Sequence, residues 1–317
     1  MSNKRNLYIG IDTSNYTTSI AVCDEKGNVI ANIKKLLDVK KGERGLRQSE
    51  AVFSHIKNIP ELSSSIKGII QNDDRIVAVG VSTRPRDVEG SYMPCFLSGK
   101  SVAYGIAATH NAPVYEFSHQ AGHIMAALYS SGSLNDLIDN NFIAFHVSGG
   151  TTEALLVSKN DVSFDVHIIA DTADISAGQA IDRAGVMMGL KFPCGKEIET
   201  LAERFIGKLP PMRISVKDGK INFSGLENIL NKLYDETNDK SLVSAFVLEF
   251  IAKTLIKLTK DIRKNYPNLP IIYAGGVMSN SFIKSELSKF ENTYFATPEF
   301  SSDNAAGIAL LTHRLDK

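Results

Sequence analysis

The chain has 317 residues, of which 43% are hydrophobic and 22% charged, as in an ordinary globular protein. Lys and Arg together number 35, and so do Asp and Glu, so no overall positive charge attracts nucleic acid; an RNA partner would need a local basic patch or a helper protein. The three cysteines are widely separated and form no C-x-x-C pair, which argues against a disulfide framework or a cysteine zinc site.

The amino-terminal sequence, MSNKRNLYIGID, runs directly into a strand pattern without the apolar core of a signal peptide. No apolar stretch approaches the length of a membrane span. We therefore expect a cytoplasmic protein that has no membrane partner.

The first predicted element is a β-hairpin in residues 7–23, LYIGIDTSNYTTSIAVC, where a polar turn separates two apolar strands. Its turn exposes backbone N–H groups and hydroxyls, which suit phosphate binding but also occur in ordinary turns. Residues 75–85, RIVAVGVSTRP, predict a buried strand that ends in a polar loop leading into a helix.

The next element, EFSHQAGHIMAAL, places His119 and His123 four residues apart, on one face of a predicted helix. The two-histidine helix of metalloproteases carries a Glu general base directly after its first His. Gln120 stands there in this chain and cannot take a proton, which excludes that protease mechanism. The spacing alone leaves both a metal site and a structural role open.

The elements then repeat, which indicates a duplicated architecture. Residues 142–158, FIAFHVSGGTTEALLVS, match the first hairpin, and residues 270–280, PIIYAGGVMSN, match the strand and loop at 75–85. Between them, residues 241–266 show the apolar spacing of a long amphipathic helix. Two matched hairpins and a Gly-Gly loop favour phosphate binding over ordinary turns.

This repeat predicts an α/β fold with two similar lobes and a cleft between them, in agreement with the chain length. The predicted amino-terminal lobe, residues 1–125, carries the first hairpin loop and the two-histidine helix. The predicted carboxy-terminal lobe, residues 126–317, carries the nucleotide site.

Seven motifs in order, GIDTS, SHQAGH, VSGGTTE, GQAIDRAG, FSGLEN, AGGVMSN and SSDNAAGIA, resemble those of the TsaD-type tRNA threonylcarbamoyladenosine synthases. This family was once labelled O-sialoglycoprotein endopeptidases, and the resemblance runs from about Gly10 to Ala309. It implies the fold of actin, sugar kinases and heat-shock ATPases. It also implies a transferase that modifies tRNA, here as a divergent paralogue.

The resemblance implies a metal centre for iron or zinc. In the family the two helix histidines bind the ion together with an aspartate that corresponds to Asp303, whose alternative role is to cap a helix. Some members add a tyrosine before V-S-G-G, where this chain has His146. The candidate ligands are therefore His119, His123, His146 and Asp303, a donor set that suits zinc or ferrous iron.

The resemblance also implies a site for an adenine nucleotide or an acyl-adenylate. Asp182 corresponds to the carboxylate that binds the ribose hydroxyls, although a helix-surface charge is its alternative role. The candidate nucleotide-binding residues are Ser148, Gly149, Gly150, Thr151, Asp182, Gly195, Glu199, Gly275, Gly276 and Asn280.

Three departures from the family pattern concern the reaction. Asn15, Tyr16 and Thr17 stand where the family has C-D-E, so the acidic pair thought to assist acyl transfer is missing. Ala121 replaces the Glu of H-x-E-G-H, and Thr151 replaces the His or Asn that follows V-S-G-G.

A further departure lies in the loop STRPRDVEGSYMPCF, which replaces the family's Gly-Pro-Gly loop. Arg84 and Arg86 are candidate anion-binding residues, because guanidinium groups bind phosphate and carboxylate well. The alternative is a surface ion pair with Asp87 and Glu89.

Asp12 and Ser14 of the GIDTS motif are the candidate catalytic residues. The first functional hypothesis is metal-dependent transfer of a threonylcarbamoyl group from its adenylate to adenosine of tRNA. The second is a carbamoyl-type transfer to a non-tRNA acceptor, and the third is a nucleotide- and metal-binding module without turnover. The family also implies a smaller TsaB-like paralogue and a TsaE-like ATPase as partners.

Overall fold

The computed structural model describes residues 4–14, 16–38 and 46–317, so Asn15 lies outside the described residues. The strands are β1 (Asn6–Ser14), β2 (Thr17–Asp24), β3 (Val29–Leu36), β4 (Arg75–Arg84), β5 (Val114–Ser118), β6 (Phe142–Val147), β7 (Thr152–Lys159), β8 (Phe164–Thr172), β9 (Val216–Lys217), β10 (Lys220–Ile221), β11 (Ile271–Ala274) and β12 (Thr293–Phe295). The helices are α1 (Gln48–Lys67), α2 (Phe96–His110), α3 (His119–Ser130), α4 (Leu134–Leu137), α5 (Ala177–Met187), α6 (Gly195–Ala202), α7 (Ser224–Thr237), α8 (Lys240–Asn265), α9 (Ser281–Leu287), α10 (Pro298–Ser301) and α11 (Ala306–Leu315). A 3₁₀ turn, Gly276–Ser279, follows β11.

The first compact unit comprises Met1–Ser130, Lys159–Asp165 and Glu299–Lys317. Its five-stranded sheet has the order β3-β2-β1-β4-β5, antiparallel among β1, β2 and β3 and parallel from β1 through β4 to β5. Helices α1 and α2 pack on one face, and α3 and α11 pack on the other. Strands covered on both faces are apolar along most of their length, as β1 and β4 are.

Helices α3 and α11 pack closely where Gly122 meets Gly307. A Cβ atom on Gly307 would lie against the main-chain carbonyl of Gly122, so only glycine permits this approach. The contact sets the spacing of the two helices, and it lies next to His123 on α3.

The second unit comprises Ser131–Ser158 and Val166–Pro298. Its seven-stranded sheet has the order β12-β11-β6-β7-β8-β10-β9, and β6 pairs with β7 as an antiparallel hairpin. Helix α8 is the longest helix among the described residues, and Phe246 and Phe250 on its inner face are buried in the core of this unit. The apolar spacing of residues 241–266 therefore predicted both the helix and its buried face.

The predicted pair of α/β units, each with a hairpin, is confirmed. The division of the chain differs from the predicted lobes at 1–125 and 126–317, because Glu299–Lys317 groups with the first unit. The physical reason is that α11 packs on β1, β2 and β4, which gives its apolar side chains a buried surface. None of the described helices combines the length and apolar character needed to cross a bilayer.

Candidate functional site

Three predicted metal ligands converge within the first unit. His123 Nε2 lies 2.9 Å from His119 Nε2 and 3.2 Å from Asp303 Oδ1, and His119 Nε2 lies 3.6 Å from the same oxygen. These are the residues that form a cluster of potential metal ligands among residues 4–14, 16–38 and 46–317. We refer to His119, His123 and Asp303 as the ligand cluster.

Local structure explains how each ligand reaches this position. Ser118 precedes α3, and its Oγ accepts a hydrogen bond from Ala121 N at 3.1 Å, which starts the helix at His119. Asp303 lies between α10 and α11. Asp303 does not cap α11, whose N-cap residue is Ala305; the nearby Asn304 Oδ1 accepts the Ala306 N–H at 3.0 Å.

Asp12 orients the first histidine. His119 Nδ1 donates to Asp12 Oδ2 at 3.0 Å, and Ser82 Oγ donates to the other carboxylate oxygen of this buried residue. A histidine whose Nδ1 is bound to a carboxylate has its ring and tautomer fixed, with Nε2 left for a metal. Asp12, which the sequence indicated as catalytic, therefore contacts His119 at Nδ1, the ring nitrogen that does not face the other two residues of the ligand cluster.

The charges at the ligand cluster favour a cation. Burial lowers the pKa of His119, but the carboxylates of Asp12 and Asp303 outweigh this and raise it to about 10. Burial opposes ionisation of Asp303, yet His119 and His123 hold the pKa of this carboxyl well below its usual range. A proton on His119 or a metal ion would each balance the negative charge of Asp12 and Asp303.

The donor set and spacing fit a metal ion. In a tetrahedral zinc site with bonds of about 2.0–2.1 Å, neighbouring ligand atoms lie roughly 3.3 Å apart. The three separations in the ligand cluster, 2.9, 3.2 and 3.6 Å, scatter around that value. Two imidazoles and one carboxylate are ligands that zinc and ferrous iron both accept.

The β1–β2 hairpin brings Ser14 beside the ligand cluster. Ser14 pairs with Thr17 across the hairpin, and both lie on the sheet face that carries Asp12. Thr17 Oγ1 donates to Asp303 Oδ2 at 3.3 Å. Ser14 is 3% exposed, and its Oγ has no hydrogen-bond partner among the described residues. A buried hydroxyl of this kind is available to a ligand oxygen.

Three other predicted site residues, Arg84, Arg86 and His146, lie outside the ligand cluster. Arg84 forms an ion pair with Asp87, with Nη2 2.5 Å from Oδ1. This agrees with the alternative interpretation of the loop, a surface ion pair. Arg86 N donates to Ser91 Oγ, which shapes the same loop. His146 lies on β6 in the second unit, where it pairs with Glu153. The role of His146 as a metal ligand and the roles of both arginines as anion-binding residues stay predictions.

Within the second unit, the loop of residues 148–151 is closed by its own serine. Ser148 Oγ accepts hydrogen bonds from Gly150 N at 3.3 Å and from Thr151 N at 3.1 Å. The amino-terminus of α5 packs against this loop, since Ser176 Oγ donates to Gly149 O at 2.8 Å. A glycine loop beside a helix amino-terminus is a favourable place for phosphate.

The Gly-Gly loop after β11 lies next to the end of β6. Gly275 has φ +104°, and a Cβ atom there would overlap the main chain of Val147, so the backbone requires glycine. Gly276 begins the 3₁₀ turn that follows. This places two predicted nucleotide loops side by side in one unit.

Two other predicted nucleotide-binding residues, Glu199 and Asp182, form hydrogen bonds within the second unit. Glu199 Oε1 accepts hydrogen bonds from Ser281 N and Ser281 Oγ, both at 2.6 Å. Asp182 Oδ1 accepts the Cys194 N–H at 2.8 Å, directly before Gly195 at the start of α6. Burial raises the pKa of Asp182, and the Cys194 N–H opposes the shift.

Asn280 caps α9, because its Oδ1 accepts the Ile283 N–H at 3.0 Å. We expect Asn280→Ala to lower the free energy of unfolding by about 1 kcal/mol, the usual effect of losing a cap. Asn280→Asp keeps the acceptor and should stay within about 0.5 kcal/mol of the wild type. Urea unfolding of both variants measures this; equal stability of the alanine variant would show that the cap contributes nothing.

Sequence reasoning missed three residues around the ligand cluster. Ser82 contacts Asp12, Thr17 contacts Asp303, and Lys34 contacts the segment before Asp303. The chain separations exceed 60 residues in every case. The only sequence signal was that Thr17 occupies a position where the resembling family carries an acid.

Comparison with known proteins identifies the family. The model of the family described as "TsaD: tRNA N6-adenosine threonylcarbamoyltransferase" matches residues 28–310. The chain belongs to the TsaD family. The resemblance inferred from the seven ordered motifs is thereby confirmed.

Curated TsaD relatives match almost the full chain. The tRNA N6-adenosine threonylcarbamoyltransferase of Thermosipho africanus is 28% identical, covering 98% of this chain and 94% of the relative. The protein of the same name from Bacillus licheniformis is 29% identical, covering 98% and 92%.

Solved structures confirm the fold class that the TsaD resemblance implied. HypF from T. kodakarensis superposes with a TM-score of 0.62 at 12% identity, covering 98% of this chain and 48% of HypF. A ROK family glucokinase from Streptomyces griseus superposes with a TM-score of 0.53 at 12% identity, covering 97% and 98%. At such identities the likeness concerns the fold alone.

Proposed function

We propose that the protein transfers a threonylcarbamoyl group from its adenylate to the adenosine amine of tRNA, and that the ligand cluster holds a zinc or iron ion. The observation that carries the proposal is the convergence of His119, His123 and Asp303 in a TsaD family member. Curated relatives along the whole chain are named as tRNA N6-adenosine threonylcarbamoyltransferases, which supports this acceptor.

In the proposed reaction the adenosine N6 attacks the carbamoyl carbon of the acyl-adenylate. A C–N bond forms, the bond from that carbon to the phosphate oxygen breaks, AMP leaves with the electron pair, and the amine releases one proton. A metal ion in the ligand cluster would supply a Lewis acid that polarises an oxygen of the acyl-adenylate.

The residues of the chain have defined tasks in this proposal. Asp12 holds His119 so that Nε2 faces the ligand position, and Ser82 fixes Asp12. Ser14, whose hydroxyl has no partner among the residues described, donates a hydrogen bond to a substrate oxygen. The chain therefore contributes orientation and hydrogen bonding, and no nucleophilic side chain is needed.

We assign the adenylate to the second unit. The loop of residues 148–151 beside the amino-terminus of α5 offers N–H donors for its phosphate, with the Gly275–Gly276 loop alongside. Asp182 uses one oxygen for Cys194 N, which leaves the other for a ribose hydroxyl. Gly195 and Glu199 would lie beside the ribose and base.

The test is an assay with synthetic threonylcarbamoyl-adenylate and unmodified tRNA, without and with TsaB-like and TsaE-like partner proteins. We expect threonylcarbamoyladenosine in the digested tRNA, measured by mass spectrometry. Ser14→Ala should slow the reaction about 100-fold, as loss of one donor to a transition state does. Ser288→Ala, which removes an exposed hydroxyl at the end of α9, should leave the rate unchanged. Absence of modified adenosine under all conditions would contradict the proposed acceptor.

The second candidate is transfer of a carbamoyl-type group to a small amine or hydroxyl. The observation that favours it is Thr17, a neutral residue bonded to Asp303 at a position where the resembling family has an acid. In the same assay, products from small amines with unmodified tRNA would select this candidate. Tight nucleotide binding without any product would indicate a binding module.

A further inference from the structure

The segment that leads to Asp303 is attached to the sheet of the first unit by a lysine on β3. Lys34 Nζ donates to Glu299 O at 2.7 Å and to Ser302 Oγ at 2.8 Å. Both acceptors belong to the four residues directly before Asp303. A charged donor to a main-chain carbonyl forms a stronger hydrogen bond than a neutral one.

Strand register explains why Lys34 reaches this segment. Lys34 pairs with Ser19 on β2, and Ser19 lies two residues from Thr17, so these side chains share one face of the sheet. On that face Thr17 Oγ1 donates to Asp303 Oδ2 at 3.3 Å. Two adjacent strands therefore hold the segment: β3 bonds Glu299 O and Ser302 Oγ, and β2 bonds the Asp303 carboxylate.

The Asp303 carboxylate is thus divided between two tasks. Oδ2 accepts from Thr17, whereas Oδ1 lies 3.2 Å from His123 Nε2 in the ligand cluster. Partial burial lowers the pKa of Lys34, and the charges of Glu299 and Asp303 oppose this shift. The ammonium group therefore lies in the electrostatic field of the segment that it holds.

We propose that Lys34 is a positioning residue for the metal centre: it fixes residues 299–302 so that Asp303 presents a single oxygen, Oδ1, to the ion. This inference rests on the metal site of the proposed function. In this proposal the orientation of the Asp303 carboxylate depends on Lys34, which forms hydrogen bonds with residues 299 and 302 and with none of the three metal ligands. Partners of this kind set metal affinity because they limit the orientations that a ligand samples.

The chain offers a matched control in the neighbouring lysine. Lys35 Nζ lies 2.6 Å from Glu61 Oε2 in an exposed ion pair with α1. Its side chain points to the opposite face of β3, because successive residues of a strand alternate. Loss of Lys35 removes the same charge from the same strand without touching the segment before Asp303.

The experiment measures zinc affinity of the full chain by competition with a chromophoric chelator. Lys34→Met is expected to bind zinc about tenfold more weakly, the lower end of the range for loss of a residue hydrogen-bonded to a metal ligand, because Lys34 acts through residues 299–302. Lys34→Arg, which retains a charged donor, should recover most of the affinity. Lys35→Met should match the wild type within about twofold, because Lys35 bonds Glu61 on α1 and not the segment before Asp303.

A second measurement separates positioning from a general loss of stability. In metal-free Lys34→Met, amide hydrogen exchange should be faster for residues 299–303 and unchanged in α2. Zinc affinity of Lys34→Met equal to the wild type would overturn the positioning role while leaving the metal site intact. A wild-type chain that binds no zinc or iron would overturn both.

Discussion

Replacing His119 and His123 together with alanine is expected to leave the protein unable to hold a zinc or iron ion. The change removes two of the three ligand atoms that converge at 2.9–3.6 Å and leaves one carboxylate oxygen. A structural zinc site contributes roughly 10–16 kcal/mol through four ligands, so the loss of two should weaken binding by more than about 1000-fold. Elemental analysis of the purified variant measures the result, and unchanged metal content would eliminate the site.

The control for this variant removes two imidazoles from the surface. His110 on α2 and His167 on β8 are exposed, so His110→Ala with His167→Ala should keep the full metal content. The site variant also removes the histidine partner of the buried Asp12, whose carboxylate retains only Ser82 among the described residues, and this loss is destabilising in itself. His119→Asn with His123→Asn retains hydrogen-bond donors and should lose the metal with a smaller loss of stability.

The second large effect is expected from Gly307→Ala, which we predict to lower the free energy of unfolding by about 3 kcal/mol. The new methyl group would press on the carbonyl of Gly122, and overpacking against backbone cannot be relieved by a rotamer change. Helices α3 and α11 would have to move apart. Urea unfolding of the metal-free protein measures the effect.

Gly105→Ala provides the contrast, because a Cβ atom at this helical position meets nothing within 4 Å. Alanine there should stabilise the protein by roughly 0.5–1 kcal/mol through helix propensity. Equal stability of the Gly307 and Gly105 variants would show that the helix crossing tolerates a side chain. The Gly307 variant should also bind metal less tightly, since the crossing lies beside His123.

The sequence was informative wherever a pattern is local. The polar turn between two apolar strands in residues 7–23 predicted the first hairpin, and helical spacing predicted α8 with Phe246 and Phe250 in the core. The i, i+4 spacing of His119 and His123 predicted their shared helix face. Each of these predictions rests on residues that are close together in the chain.

Contacts between residues that are distant in the chain could not be predicted from local patterns. Nothing near Lys34 marks it as the side chain that reaches Ser302, because the contact arises from the register of β2 with β3. Likewise, nothing in the sequence distinguishes Asn304, which accepts the Ala306 N–H, from Asp303, which does not cap α11. The Asp303 carboxylate, which does not cap α11, is part of the ligand cluster.

The discontinuous first unit has a consequence for synthesis of the chain. Its sheet is encoded before residue 119, but Asp303 and α11 are encoded only after nearly all of the second unit. At roughly 5–20 residues per second, the ribosome needs on the order of ten seconds or more to cover that interval. During this time the polar face with Asp12 and His119 lacks its covering helix. The ligand cluster can therefore form only late in synthesis, and translation that stops before residue 303 produces chains that lack Asp303.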